Sequence, residues 1–391
     1  MLRKGTFILM KTKIQDMTSG SPGRLIILFA IPLMLGNICQ QLYTMVDTMV
    51  VGQVAGVEAL AALGAVDFLM WVVTGISTGL TQGFSIQLSQ YYGAKDFENL
   101  RKSLAHSYRL TAFIAAGVLI LSQSFASLVL TGLHTPSNII GMSLLYLRII
   151  FCGIPATAAY NMFASALRAM GNSKTPLTAM IIASVLNVSL DILFVAGFGW
   201  GVAGAAIATV IAQSFSAVYC FLILRRIDIV HLTRADFMPA SGMNARLMKL
   251  GIPVVFQNII IGVGGLVVQY VINGYGFLFV AGFTATNKLY GLLEMAAISY
   301  GYAIVTYVGQ NLGAGRIDRI RKGVRCSMLL SLLTSLIISA AMFLFGKNIL
   351  SLFISGEPQQ TQQVLAIAFK YLSIMAGFCT SCMYTDLRFR D

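Results

Sequence analysis

The sequence predicts an all-α, polytopic membrane protein. Three observations carry that prediction. Of the 391 residues, 57% are apolar and only 10% are charged, where a soluble domain carries about 25% charge. Mean hydropathy is +0.80. Long apolar runs recur between short breakers at intervals that suit membrane helices. An ordinary cytosolic enzyme, a disordered chain and a secreted disulfide scaffold are thereby excluded.

A bilayer asks for about 20 apolar residues per helix. Ten segments qualify: 25–50, 60–91, 107–130, 139–166, 176–198, 202–224, 247–273, 278–310, 327–354 and 362–384. Gly52, Gly132–Pro136, Gly171–Pro176, Gly197–Gly201 and Gly356–Pro358 punctuate them. The net charge of +13 would suggest nucleic acid in a soluble protein. Here it follows from the positive-inside rule, and no nucleic-acid partner is expected. Arg3, Lys4, Lys11, Lys13 and Arg24 precede or open span 1; Lys95, Arg101, Lys102 and Arg109 lie between spans 2 and 3; Arg168 and Lys174 between spans 4 and 5. Arg225, Arg226, Arg234, Arg246 and Lys249 lie between spans 6 and 7, and Arg316, Arg319, Arg321, Lys322 and Arg325 between spans 8 and 9. Together these are 21 of the 27 Lys and Arg, all on one side of the alternation, which is expected to be cytoplasmic. The first twenty residues read as a cytoplasmic tail and not as a signal peptide.

The chain repeats internally. Pro32-x4-Asn37 matches Pro253-x4-Asn258, Gln90-Tyr-Tyr-Gly93-Ala94 matches Gln310-Asn-Leu-Gly313-Ala314, and Tyr146-Leu-Arg-Ile149 matches Tyr371-Leu-Ser-Ile374. The unit holds six spans, so both halves start on the same side of the membrane. The expected organisation is a tail (1–22), a first six-helix lobe (23–226), an inter-lobe loop (227–245) and a second lobe (246–391). By this alignment the chain stops at the counterpart of Ala166. The second repeat is expected to be incomplete, with about ten helices of a twelve-helix plan.

Ionisable residues inside the spans are few: Asp47, Asp67, Arg148, Asp191, Lys288 and Glu294. A charge at mid-bilayer is costly, and such residues mark ion or substrate paths. Asp47 ends a polar stripe with Asn37, Gln40 or Gln41, and Thr44. Asp191 ends another with Ser184 and Asn187, and Thr209, Gln213 and Ser216 form a third on span 6. The alternative for each hydroxyl or amide is interhelical polar glue, but glue does not need a carboxylate. Asp67 reads equally well as an interfacial cap. Glu294 is a possible second-lobe site, and Lys288 points away from it on the helix. Pro32 and Pro253 allow kinks, static or responsive. Cys379-Thr-Ser-Cys382 is a lone CxxC, too little for a metal site. There is no GxxxxGK[ST], HExxH or GxSxG, so no ATP hydrolysis and no enzyme constellation is visible. No cofactor is expected; transport would draw on an ion gradient.

Taken together, Pro32-Leu-Met-Leu-Gly-Asn37, Leu42-Tyr-Thr-Met-Val-Asp47-Thr48, Gln90-Tyr-Tyr-Gly93-Ala94, Ala166-Leu-Arg168-Ala-Met-Gly171-Asn-Ser-Lys-Thr-Pro176, Asn187-Val-Ser-Leu-Asp191, Gly201-Val-Ala-Gly204 and Val308-Gly-Gln310-Asn-Leu-Gly313 resemble the multidrug and toxic compound extrusion (MATE) family, in its DinF-like branch. The resemblance covers about residues 20–380. It implies a V-shaped, two-lobe antiporter of the plasma membrane (the inner membrane of a bacterium). Such an antiporter, working as a monomer among membrane lipids, exports amphipathic, often cationic, drug-like compounds against H⁺ or Na⁺. The resemblance places cation coupling at Asp47, Asn187, Asp191 and Thr209, where Na⁺ is the one metal ion to consider. Tyr146 and Asn161 look like pocket positions, joined by Gln40 and Gln213, and Pro32 looks like the bending proline. Span 7 carries Gln257, Asn258 and Gln269 but no acid, which favours a first-lobe site. A lipid-linked sugar flippase of related fold would want a more basic cavity. A membrane-embedded transferase would want a catalytic constellation, and a remnant without activity would follow from the missing helices.

Both termini are predicted on the cytoplasmic side. Reporter fusions at Gly132 and Ser241 are expected to report opposite sides of the membrane; a shared side would overturn the topology.

Overall fold

In a computed structural model of the chain, residues 14–133, 135–273, 275, 277–351 and 362–375 are described. Every regular element among them is helical. Seven helices are long and apolar enough to span a membrane unaided, and two bent pairs raise the number to nine. The tenth predicted span is helical over 362–375. The rest of it, with Cys379 and Cys382, lies outside the described residues, as does His134.

The first lobe begins with α1 (Pro22–Val54), which opens on a proline whose missing N–H costs nothing in a first turn and which carries Pro32 inside. Helix α2 (Val57–Gly64) and α3 (Asp67–Gly93) follow. They replace the single span expected over 60–91, with a bend of 40° at the break. Helix α4 (Phe97–Gly132) is capped by Asp96, whose side chain accepts the Asn99 N–H. The span expected over 139–166 is likewise two helices, α5 (Ile140–Cys152) and α6 (Ile154–Ala169), bent by 45°. Gly153 stands at the joint, and Pro155 in the first turn of α6 cannot continue the hydrogen-bond ladder of α5. Helix α7 (Lys174–Asp191) passes into a π-helical turn, Ile192–Gly197, and α8 (Gly201–Leu224) completes the lobe.

The second lobe holds α9 (Met243–Asn273), with Pro253 inside, α10 (Phe277–Gly313), α11 (Ile317–Ser351) and α12 over 362–375. The inter-lobe loop docks on α4. His106 places one ring nitrogen 2.7 Å from Asn244 Oδ1 and the other 3.0 Å from the Met238 carbonyl, and Arg109 donates to the Phe237 carbonyl at 2.9 Å. His106 of α4 thereby ties that helix to the inter-lobe loop.

Lipid offers no hydrophobic force to bring helices together, so close packing of small residues must do it. Helix α3 is where this happens. A Cβ on Gly83 would overlap the backbone of Gly251 on α9, and one on Gly79 would sit 2.9 Å from the Val255 nitrogen. At the other end of α3, Gly93 lies on the Gln310 backbone of α10 while Gly313 lies on the Gln90 backbone. The contact is reciprocal, as the internal repeat requires. Large apolar side chains such as Phe113, Ile337 and Leu344 point outward, mostly exposed, where acyl chains would solvate them.

Gly83→Val is expected to push α9 off α3, cost about 1–3 kcal/mol and lower the midpoint of thermal unfolding in detergent. Gly117→Val, on an open surface of α4, is expected to leave the midpoint unchanged.

Candidate functional site

Two carboxylates converge inside the first lobe. Asp47 comes from α1 and is 5% exposed; Asp191 ends α7 and is fully buried. The charge of Asp47 reaches Asp191. Asn187, one turn before Asp191, is also fully buried, and its Nδ2 donates to Thr209 Oγ1 on α8 at 3.4 Å. Gln213, one turn further along α8, donates from Nε2 to the Tyr43 hydroxyl at 3.4 Å. Tyr43 stands one turn before Asp47 on the buried face of α1.

What these groups share is unmet acceptor capacity. Asp47 Oδ1, Asn187 Oδ1, both carboxylate oxygens of Asp191 and Gln213 Oε1 are buried with no hydrogen-bond donor. Buried acceptors are normally satisfied, and an ionised carboxylate taken out of water needs compensation. The salt bridges of the described residues lie elsewhere, between Arg101 and Asp236 and between Lys102 and Glu98. Among the described residues, no lysine or arginine pairs with Asp47 or Asp191. The donor set consists of hard oxygens: carboxylate, amide and hydroxyl. Such a set suits a proton or an alkali cation and not a soft transition metal. Among the described residues, no group of three or more His, Cys, Asp and Glu is arranged to hold a metal ion.

The backbone around Asp191 explains its position. The helix changes from α to π immediately after it, with Phe198 N–H reaching the Leu193 carbonyl at 2.9 Å. Single π turns inside helices are rare and gather at functional sites. This one is held by Phe194, Phe198 and Trp200, whose rings stack with centroids 5.1 to 6.0 Å apart. Gly204 on α8 closes the arrangement, since a Cβ there would press on Phe194 at 3.0 Å.

The structure brings together the four residues expected to couple the cation and adds Gln213 and Tyr146 to their surroundings. Tyr146 is buried on α5 and within electrostatic reach of Asp47 and Asp191. Asn161 lies elsewhere in the same lobe, donating to Thr78 on α3 at 3.3 Å. Gln40 is exposed, one turn before Tyr43. The stripe expected on α1 divides. Asp47 and Tyr43 face inward, while Asn37 turns to the second lobe and donates to Ser299 on α10 at 3.2 Å. Pro32 is buried in α1, fifteen residues before Asp47. Glu294 is an exposed residue of α10, in the other lobe. Sequence reasoning passed over one residue of the site. Tyr43 could have been found from its helical spacing with Gln40 and Asp47. Asp67 was read as a cap as readily as a functional group; it opens α3, and its charge acts on Asp47.

Comparison with known proteins identifies the family to which the fold belongs. The MatE family profile matches residues 32–193 and 253–384. The chain is 32% identical over 368 residues to the probable multidrug resistance protein YpnP of Bacillus subtilis, covering 94% of this chain and 81% of that one. It is 26% identical to the probable multidrug resistance protein NorM of Thermotoga maritima, covering 85% and 72%. Among solved structures it resembles a MOP superfamily transporter from Pyrococcus furiosus, with a TM-score of 0.90 at 22% identity, covering 97% of this chain and 84% of the other. An outward-facing multidrug resistance MATE family transporter aligns with a TM-score of 0.89 at 21% identity, covering 97% and 84%. Family profile, relatives and fold converge, and the chain belongs to the multidrug and toxic compound extrusion (MATE) family of membrane transporters.

Proposed function

We propose that this transporter is a secondary active antiporter that exports amphipathic, cationic compounds in exchange for H⁺ or Na⁺. The observation that carries the reading is the set of five buried acceptor oxygens on Asp47, Asn187, Asp191 and Gln213 that meet no donor. Two close carboxylates cannot both stay ionised in a low-dielectric site without a counter-charge. A proton shared by the pair supplies it, and so does a sodium ion held by the carboxylates with the oxygens of Asn187 and Thr209. The names of its relatives, probable multidrug resistance proteins, support export of drug-like compounds. The acidic and neutral lining supports cationic substrates over an anionic lipid pyrophosphate.

In this reading the chain works as a monomer in a bacterial plasma membrane, with its basic connections and N-terminus in the cytoplasm. Asp47 and Asp191 hold the coupling ion. Asn187 and Thr209 orient to it, and Tyr43 and Gln213 set the geometry of the α1 and α8 walls. Ion occupancy changes what α1 can hydrogen-bond, and Pro32, where the helix ladder lacks a bond, takes up the change as a bend. Antiport follows when ion and drug favour different shapes of the lobe.

Two measurements test this. Asp191→Asn removes an uncompensated buried charge and is expected to raise the thermal midpoint by about 2 °C or more, and to abolish any dependence of that midpoint on Na⁺ or pH. A midpoint that falls would assign Asp191 to static packing. In cells loaded with a cationic dye, Asp47→Asn and Asp191→Asn are each expected to stop ion-coupled efflux. Normal membrane insertion with unchanged export and unchanged ion dependence would refute the coupling role.

A further inference from the structure

The segment just before α1 touches both lobes at once. Met17 is fully buried, packed with Ile26, Phe29 and Leu33 of α1 and with Tyr300, Ile304 and Tyr307 of α10. Toward the first lobe, the Gln15 N–H donates to the Gly171 carbonyl at 3.1 Å. The Gln15 carbonyl occupies the place a Cβ on Gly171 would take, and Gly171 holds φ +89. Only glycine suits that position on both counts. Toward the second lobe, the Met17 N–H donates to Gln310 Oε1 at 3.0 Å, and Asn311 Nδ2 donates to the Met17 carbonyl at 3.0 Å. Arg319 donates to the Gly20 carbonyl at 2.9 Å and Arg316 to the Thr18 carbonyl at 3.2 Å.

Gln310 is the centre of this junction. Fully buried on α10, it accepts from Met17 and donates through Nε2 to the Ala169 carbonyl of the first lobe at 2.8 Å. Beside it the Arg168 guanidinium of the first lobe lies 4.5 Å over the Tyr302 ring of the second. The turn between Met17 and α1 is shaped by Asp16, which accepts from the Thr18 N–H at 2.8 Å and hydroxyl at 2.6 Å, and from Ser19 at 3.2 Å. Burial pushes the Asp16 carboxyl up, but these hydrogen bonds and nearby Lys95 outweigh it and hold the group below its ordinary value.

We infer that residues 15–20 are a latch that holds the two lobes together on the face bearing the basic connections, and that Gln310 and Gly171 are its two keepers. This rests on the reading of the chain as an alternating-access transporter. The bonds are polar and reversible, made by backbone carbonyls and neutral or guanidinium donors, with no carboxylate partner to fix them. Separating the lobes there exposes Gln310 and Asn311 to water, which can replace their partners. The latch also has a mechanical position. It joins α1 at Pro22, ten residues before Pro32, and Gln15 Nε2 reaches the Leu25 carbonyl at 3.4 Å. A bend at Pro32 moves the first three turns of α1 against the rest, and those turns are what the latch ties to both lobes. The coupling site lies on the far side of the same proline. Ion occupancy at Asp47 and closure of the basic face are thereby linked through one helix.

Spin labels at Glu98→Cys on α4 and Arg321→Cys on α11, both exposed and one on each lobe, report the separation of the lobes in the full chain reconstituted in nanodiscs, with the native cysteines replaced. The parent is expected to show a short-distance population. Gln310→Met and Gly171→Ala are each expected to raise the long-distance fraction by about fivefold, the effect of one net hydrogen bond. The double variant is expected to match the stronger single, because freeing either end frees the same strap. Gln90→Met, the repeat counterpart of Gln310, is expected to leave the distribution unchanged. Variants that remain monodisperse with parental helix content and parental distances overturn the latch, and so do strictly additive effects. The distances are read without drug or ion gradient. Shifted distances in a chain that exports no dye would retain the latch and remove the transport reading; working export with unshifted distances would do the reverse.

Discussion

Backbone-to-backbone approach along α3 is the constraint on which the rest of the molecule depends. Gly79 and Gly83 let α9 lie directly on α3, and Gly93 with Gly313 lets α10 do the same at the other end. In lipid this contact has to come from dispersion between closely placed atoms, since burying apolar surface gains nothing when the solvent is itself apolar. The consequence is a firm seam between lobes that are elsewhere free to differ. The polar groups that would be awkward in lipid are then grouped in two places: the acid pair inside the first lobe, and the amide junction on Gln310 at the basic end of the seam.

Those two groups obey opposite rules. At the basic face Gln310 is satisfied on both sides, by Met17 and Ala169. Inside the lobe Asp47, Asn187, Asp191 and Gln213 keep acceptors that no donor among the described residues satisfies. A protein built for stability alone would fill the second site with a base or with apolar side chains. Unmet acceptors around two close carboxylates make sense as stability given up for binding, which is where sequence consistency is expected to fail. The π turn after Asp191 is of the same kind. It departs from the local rule and is held by three stacked aromatic rings and a glycine.

Most of the fold was legible because bilayer thickness and charge asymmetry act on whole segments. The ten apolar runs and the repeat needed only averages over many residues. The breaks were not legible in the same way. Hydropathy averaged over residues 60–91 does not separate α2 from α3, although Gly64 and Asp67 flank the joint at Ala65 and Val66. The bend between α5 and α6 had a signal in Gly153 and Pro155 that hydropathy outweighed. Asp47, Asn187, Asp191 and Thr209 were visible as polar exceptions in apolar helices, and the resemblance gave them a common role. Tyr43 was hidden by its own chemistry, since a tyrosine in a membrane helix is ordinary and only its neighbours make it notable. The role of residues 15–20 could not be read at all. Its bonds run from backbone groups to side chains some three hundred positions away, and no local pattern encodes them.

Helix α1 connects these parts. Its first three turns belong to the latch and to the second lobe through the contact of Ile26, Phe29 and Leu33 with α10. Its last turns belong to the first lobe through Tyr43 and Asp47. Pro32 stands between, at the place where the ladder of backbone hydrogen bonds is already broken, so a change of direction there costs less than anywhere else along the helix. A straight helix without that proline would transmit any shift at Asp47 as rotation of the whole rod, against the seam on α3. With the proline in place the turns on either side of it can change direction relative to one another, while Asn37 keeps the segment beyond it bonded to Ser299 of α10. The internal repeat sharpens the point. Helix α9 carries Pro253 at the matching position and is likewise preceded by a segment bonded to the other lobe, at His106 and Arg109 of α4, but it has no acid beyond the proline.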